Sequence, residues 1–206
     1  MSGRNDMSGK IDIERRTDGV AVLWIDNPAH RNALNNTLIE ALTAHFRALA
    51  ADPSCRVVLV RGRGGIFCAG RELRDLRALQ DASNDTIVAT YEKLKALNEA
   101  VWFCPKPTVA LIEKYAFGAG ATLSSWCDVA LAEETALFAY PEVHHGFPPS
   151  PALMALFLAV GRKKAMELVL TGRRIDAREA DRIGLITRAV AAGAIEADLE
   201  GVLAGL

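Results

Sequence analysis

The chain has 206 residues, half of them apolar and 24% charged, with a formal net charge of −1. Such a length and composition suit one ordinary globular domain able to bury a sizeable core. A near-zero charge excludes a general attraction to nucleic acid or to an anionic membrane surface, so any anionic ligand must be held by local groups.

Residues 1–10 are polar and contain no apolar h-region, and they are expected to form a disordered leader rather than a targeting segment. No uncharged apolar run anywhere is long enough to cross a bilayer. Ile11–Glu14 and Val20–Ile25 alternate in strand fashion around Asp18-Gly19, which predicts a hairpin. After a turn at Asn27-Pro28, Leu38, Leu42, Phe46 and Leu49 recur at helical spacing, and Val57–Val60 predicts a buried strand. The glycine-rich passage Gly62–Gly70 leads into a mixed-charge helix from about Arg71. A longer helix follows around Ile87, Tyr91, Leu94, Leu97 and Val101, stopped by Cys104-Pro105-Lys106-Pro107. Thr108–Ile112 and Asp128–Ala132 are further strands, separated by Gly118-Ala119-Gly120 and a short helix of small residues. From Pro151 the pattern is helical, with Asp176–Glu179 as a capping box. The expected division is an α/β core over 11–150 and a helical C-terminal region over 151–206. The latter ends inside an amphipathic stretch (Leu199, Val202, Leu203, Leu206), as though truncated.

Two glycine-containing turns stand out, Phe67–Leu73 and Tyr115–Ala121. Each is expected to follow a strand and enter a helix, presenting free backbone N–H groups; two such turns face to face would make an oxyanion hole. Cys55, Cys68, Cys104 and Cys127 form no C-x-x-C pair and have no histidine at metal-ligand spacing. Neither a metal site nor a disulfide framework is expected, and a reducing cytoplasm fits best. Ser124 and Ser125 have no recognisable His or Asp partner for a hydrolase triad. Gly62-Arg63-Gly64-Gly65 lacks a Walker ending, and no G-x-G-x-x-G follows a strand, so neither a nucleoside triphosphate nor a nicotinamide is expected.

In order, the chain carries Asn32-Ala33-Leu34, Phe67-Cys68-Ala69-Gly70-x-Glu72-Leu73, Gly118-x-Gly120 with Cys127-Asp128, and Phe138-x-Tyr140-Pro141-Glu142. These are followed by Gly146-x-x-Pro149, and by Leu170-Thr171-Gly172 with Ala177-x-Glu179-Ala180-x-x-Ile183-Gly184-Leu185. Together they resemble the crotonase superfamily of enoyl-CoA hydratases and isomerases, from about Ile11 to Val190. The resemblance implies a spiral of repeated ββα units. It also implies an acyl-CoA thioester as substrate with no further cofactor, since coenzyme A is part of that substrate, and a homotrimer or dimer of trimers.

In such proteins the thioester oxygen lies between two peptide N–H groups, which correspond here to Arg71 and Ala119. Ala33, Ala69, Gly70, Glu72, Leu73 and Gly118 then line the substrate site, and Arg31, with Arg61 or Arg63 as further candidates, meets the CoA phosphates. Of the family's usual pair of glutamates, one position is Thr122, which could orient water, and the other is Glu142, the expected acid/base. Arg71 in place of a small residue, or the His144-His145 pair, could meet a polar or acidic acyl substituent; a solvent-facing arginine and turn histidines are the plainer expectation. The family also admits thioester hydrolysis and C–C cleavage. The departures at Thr122 and at Glu113-Lys114, where an Asn-Gly is usual, leave room for a catalytically weak acyl-CoA-binding or scaffold protein.

Overall fold

The computed structural model describes residues 9–206. Most of the expected leader, residues 1–8, lies outside the described residues, and Lys10 already belongs to the first strand. Strand β1 (Lys10–Arg15) pairs antiparallel with β2 (Val20–Asp26), and Gly19 takes the positive φ of +85° that the turn between them needs. Helix α1 (Asn36–Ala51) starts where the Asn35 side chain accepts a hydrogen bond from Leu38 N, and it buries Leu38, Ile39, Leu42, Phe46 and Leu49. After β3 (Val57–Gly62) come α2 (Leu73–Gln80) and α3 (Asn84–Trp102), the latter capped by Ser83. Next are β4 (Thr108–Ile112), β5 (Tyr115–Phe117), α4 (Ala119–Trp126), β6 (Val129–Glu133) and β7 (Leu137–Ala139). The chain continues through α5 (Ser150–Thr171), bent at Gly161, to β8 (Ile175–Asp176), α6 (Ala177–Arg182), β9 (Arg188–Val190) and α7 (Ile195–Gly205).

The strands form two sheets. The larger runs β1-β2-β3-β4-β6-β9, parallel from β2 onward, and the smaller runs β5-β7-β8. All five residues of β4 are buried, as befits a parallel strand covered on both faces. On one face α1 and its neighbours close the main core; on the other, Ile195, Leu199 and Leu203 of α7 cover Val20, Val57, Leu59, Val109 and Leu131. Val202 is partly buried against that second cluster, while Leu206 is 42% exposed.

Strand β4 joins the large sheet, β5 the small one, and α4 follows; β6, β7 and α5 repeat the sequence of events. Cys68 forms an isolated parallel bridge with Ala116 of β5, so the segment after β3 makes the same crossing before α2. This is the spiral of ββα units that the resemblance implies. The whole smaller sheet escapes the pattern reading because its strands are two or three residues long, too short to show a period of two. Strands β8 and β9 also show that the stretch beyond Pro151 is not wholly helical, for β9 completes the edge of the large sheet.

Candidate active site

The two glycine turns lie side by side. Leu34 N donates to Gly70 O at 2.7 Å and Glu72 N donates to Leu34 O at 3.1 Å, so Arg71 sits in a strand-like parallel bridge to Leu34. It does not open a helix, as the spacing predicts: α2 begins two residues later. In a parallel bridge the peptide groups flanking Arg71 face Leu34, and the N–H of Arg71 points to the opposite side. Gly70 has φ +97°, and a Cβ built on it would stand 2.8 Å from Phe117 O and 3.6 Å from Ala119 N. That close approach, open only to glycine, is what sets the second donor beside the first. The Ala119 N–H belongs to the first turn of α4 and has no intrahelical acceptor.

Glu142 completes the arrangement from a 3-10 turn, Pro141–His145, that follows β7. A Cβ on Gly118 would lie 3.0 Å from Glu142 Oε1 and 3.9 Å from Gly70 Cα, so the carboxyl rests against the meeting point of both turns. Its Oε2 is buried without a hydrogen-bond partner. Burial pushes the carboxyl above its ordinary pKa, against the opposing effect of its own backbone N–H. A narrow cavity of about 50 Å3 lies over it, lined by Arg71, Tyr91, Leu94, Ala119, Thr122 and Phe147 among others. Through Tyr91, Asn98 and Pro151 this cavity adjoins a larger, mostly apolar one of about 550 Å3 between α3 and α5. Burial raises the Tyr91 hydroxyl's pKa, the charge of Glu142 raises it further, and Arg71 opposes both.

Arg71, Ala119 and the desolvated Glu142 carboxyl thus line one cavity. The sequence model for "Enoyl-CoA hydratase/isomerase" matches residues 15–202. The chain belongs to the enoyl-CoA hydratase/isomerase family. A Mycobacterium tuberculosis protein named "Probable enoyl-CoA hydratase echA8" is 35% identical over 189 residues, covering 90% of this chain and 71% of that protein. The fold matches a crystal structure of an enoyl-CoA hydratase from Mycobacterium smegmatis with a TM-score of 0.90 and 32% identity, covering 95% of this chain and 75% of that one. A second, from Shewanella pealeana, also gives 0.90, at 25% identity and covering 95% and 72%. This is an enzyme of that family.

The structure gathers Arg71, Ala119, Thr122 and Glu142 around one cavity, with Gly70 and Gly118 beneath them. Thr122 is buried and its hydroxyl donates to Gly118 O at 3.0 Å, leaving the oxygen lone pairs as acceptors. Ala69 N donates to Arg31 O, and Ala33 O accepts from Asn27 Nδ2, so both backbones brace the first turn. Glu72 departs from its expected place in the substrate site. Its side chain is buried on the far side, where Oε1 accepts from Asn27 Nδ2 at 3.0 Å and Asn35 Nδ2 at 3.1 Å. Leu73 likewise turns outward and is 52% exposed.

Arg71 corrects the plainer expectation, for its side chain is only 6% exposed, whereas the residue as a whole is partly exposed through its main chain. His144 and His145 line a different cavity with Leu73, Arg77 and Gln80, and His144 Nε2 lies 2.9 Å from Thr171 O. Arg61 is paired with Glu196 at 2.6 Å and Glu113 at 3.3 Å, Arg63 stacks 3.9 Å over Trp24, and Arg31 is exposed. The hydroxyls of Ser124 and Ser125 both donate to Ala121 O. Cys68 is wholly buried, its thiol pushed up to about 12 by burial, so it packs rather than reacts. Tyr91 is the site residue that the pattern reading misses, since periodicity shows it only as part of an apolar helix face. No helix among the described residues is long and apolar enough to cross a membrane.

Proposed function

We propose that the chain converts an acyl-CoA thioester through its enolate, with Glu142 as the single acid/base and the N–H groups of Arg71 and Ala119 holding the oxyanion. The observation that carries this reading is the Glu142 carboxyl, with one oxygen against the junction of the two turns and the other buried without a partner. A group so placed is poised to hold and release a proton, and its raised pKa brings proton affinity nearer to neutral pH.

In isomerisation, Glu142 takes a proton from C2 of a 3-enoyl thioester. The electron pair moves into the thioester C=O, whose oxygen becomes the oxyanion between the two N–H groups, and the carboxyl returns the proton at C4. In hydration, water adds its oxygen to C3 of a 2-enoyl thioester and gives one proton to Glu142, which passes it to C2 of the enolate. Thr122 Oγ1, its own hydrogen occupied by Gly118 O, accepts the water's other hydrogen. Both reactions close with one carboxylate. The N–H pair favours the enolate over the ground-state thioester because charge develops on the oxygen only during reaction. The resemblance gives Arg31 the CoA phosphates, and its exposure is compatible with that role, whereas Arg61 is already in ion pairs. The same reading takes the enzyme to be a homotrimer or dimer of trimers in the cytoplasm, which light scattering on the purified protein tests in part.

The test follows crotonyl-CoA hydration by loss of enone-thioester absorbance and 3-enoyl-CoA isomerisation by its gain, in the parent and in Glu142→Gln. Loss of an acid/base group lowers the rate by about 10²–10⁴-fold. Equal rates would remove Glu142 from the mechanism. Release of free thiol would point to hydrolysis instead, and thioester binding without any turnover would point to a binding protein.

A further inference from the structure

The Arg71 guanidinium is an unusual group to find in a mostly apolar cavity. Its side chain is 6% exposed, and only Nη2 has a hydrogen bond, donated to Asn36 Oδ1 at 2.9 Å. Asp75 Oδ2 lies 3.8 Å from the same nitrogen, too far for a hydrogen bond. Nε and Nη1 are buried with no partner, while the group shares the cavity with Glu142, Tyr91 and Thr122. Burying an arginine costs several kcal/mol unless its donors are satisfied. Burial does depress its proton affinity, with Asp75, Glu72 and Tyr91 opposing, yet an arginine remains a cation at neutral pH.

We propose that Arg71 is a receptor for a carboxylate carried on the acyl group, so that the preferred substrates are CoA monothioesters of short dicarboxylic acids. Asn36 fixes the orientation of the guanidinium from one side, and the carboxylate accepts from the donors left free. The side chain starts at the residue whose own N–H takes the thioester oxygen. The carboxylate it reaches is therefore close to the thioester and not at the end of a long chain. A charge-assisted hydrogen bond made away from bulk water is stronger than a neutral one, and a methyl group at the same position would leave the guanidinium unsatisfied. The proposal rests on the acyl-CoA reading of this cavity and adds the substrate class. The histidine pair contributes nothing to it, because His144 and His145 face another cavity.

The test is equilibrium binding to the full chain by calorimetry, with saturated thioesters that need no turnover: succinyl-CoA against butyryl-CoA, and glutaryl-CoA against pentanoyl-CoA. In at least one pair the carboxylated member is expected to bind about 10-fold tighter or more, the scale of a hydrogen bond to a charged group. Arg71→Met should reduce that ratio to one or below, and Arg71→Lys, which keeps the charge, should retain part of it. A parent ratio at or below one in both pairs overturns the proposal, and so does a ratio that Arg71→Met leaves unmoved. The parent ratio needs no variant, so a misfolded Arg71→Met does not shelter the idea. Absence of binding by all four thioesters overturns this proposal and the acyl-CoA reading together. A carboxylate preference without turnover of any enoyl thioester would sink the proton-transfer reading alone, and turnover with a flat ratio would sink only the Arg71 assignment.

Discussion

The two halves of the cavity are built on different terms. On one side the proposed oxyanion donors are main-chain groups, held by the bridge between Leu34 and Arg71 and by the close approach of Gly70 to Phe117 and Ala119. On the other, the groups proposed to act are the side chains of Glu142, Thr122 and Arg71, which line the same cavity. A backbone donor tolerates a change of residue so long as φ and ψ survive, which is why Arg71 can stand where a small residue is usual. A side-chain acid or base has no such freedom, and replacing one glutamate by Thr122 halves the acid/base inventory. Specificity can therefore be rewritten from the oxyanion side, through the side chain of Arg71, without moving its N–H.

The contrast can be broken at the glycines. Gly70→Ala places a Cβ 2.8 Å from Phe117 O at a φ of +97°, and it is expected to cost about 10²–10³ in turnover by displacing a donor. The same change should lower stability by about 1–3 kcal/mol, read by urea denaturation.

Glu142 supplies a test on stability rather than rate. Its folded-state pKa is raised by burial above the unfolded value of about 4.3. Its contribution to stability is thus fully present below that unfolded value and is lost as pH rises through the raised one. Relative to the parent, Glu142→Gln should gain stability progressively from about pH 4 toward neutral, with a slope of at most about 1.4 kcal/mol for each step of one in pH. Parallel stability curves for the two proteins would mean that the carboxyl is not desolvated.

A finer division comes from Thr122→Val, which removes a hydroxyl of about 1 kcal/mol net value from the water position. Hydration should fall several-fold further than isomerisation, and an equal fall would assign Thr122 to packing alone. The smallest effect is expected at Lys114, where a non-glycine residue holds φ +60°. Lys114→Gly relieves about 1–2 kcal/mol of left-handed strain and concedes about 0.5–1 kcal/mol in unfolded-chain entropy. Its thermal midpoint should rise by a few degrees or stay level; a fall would contradict the account of that turn.

The large sheet was legible because Val57–Val60 and Thr108–Ile112 are continuous apolar runs between turn signals, and the hairpin because Asp18-Gly19 punctuates two alternating segments. The small sheet was not, since Tyr115–Phe117 and Leu137–Ala139 are pieces of loop until their partners arrive. At the site, motif order located the donors and Glu142 but could not say which way neighbouring side chains face. Successive residues of an extended segment point to opposite sides. Arg71 accordingly enters the cavity while Glu72 turns back to hold Asn27 and Asn35. Tyr91 lay hidden because a tyrosine on an apolar helix face looks the same whether it faces solvent or lines a cavity shared with a buried carboxyl.

The most direct measurement is the pH profile of kcat/KM for the preferred enoyl-CoA, run on the parent and on Glu142→Gln. A single desolvated carboxylate acting as base predicts one acid limb, with an apparent pKa above the ordinary carboxylate range, and its disappearance from the residual activity of the variant. An acid limb that persists unchanged in Glu142→Gln would contradict the assignment of Glu142 as the group that moves the proton.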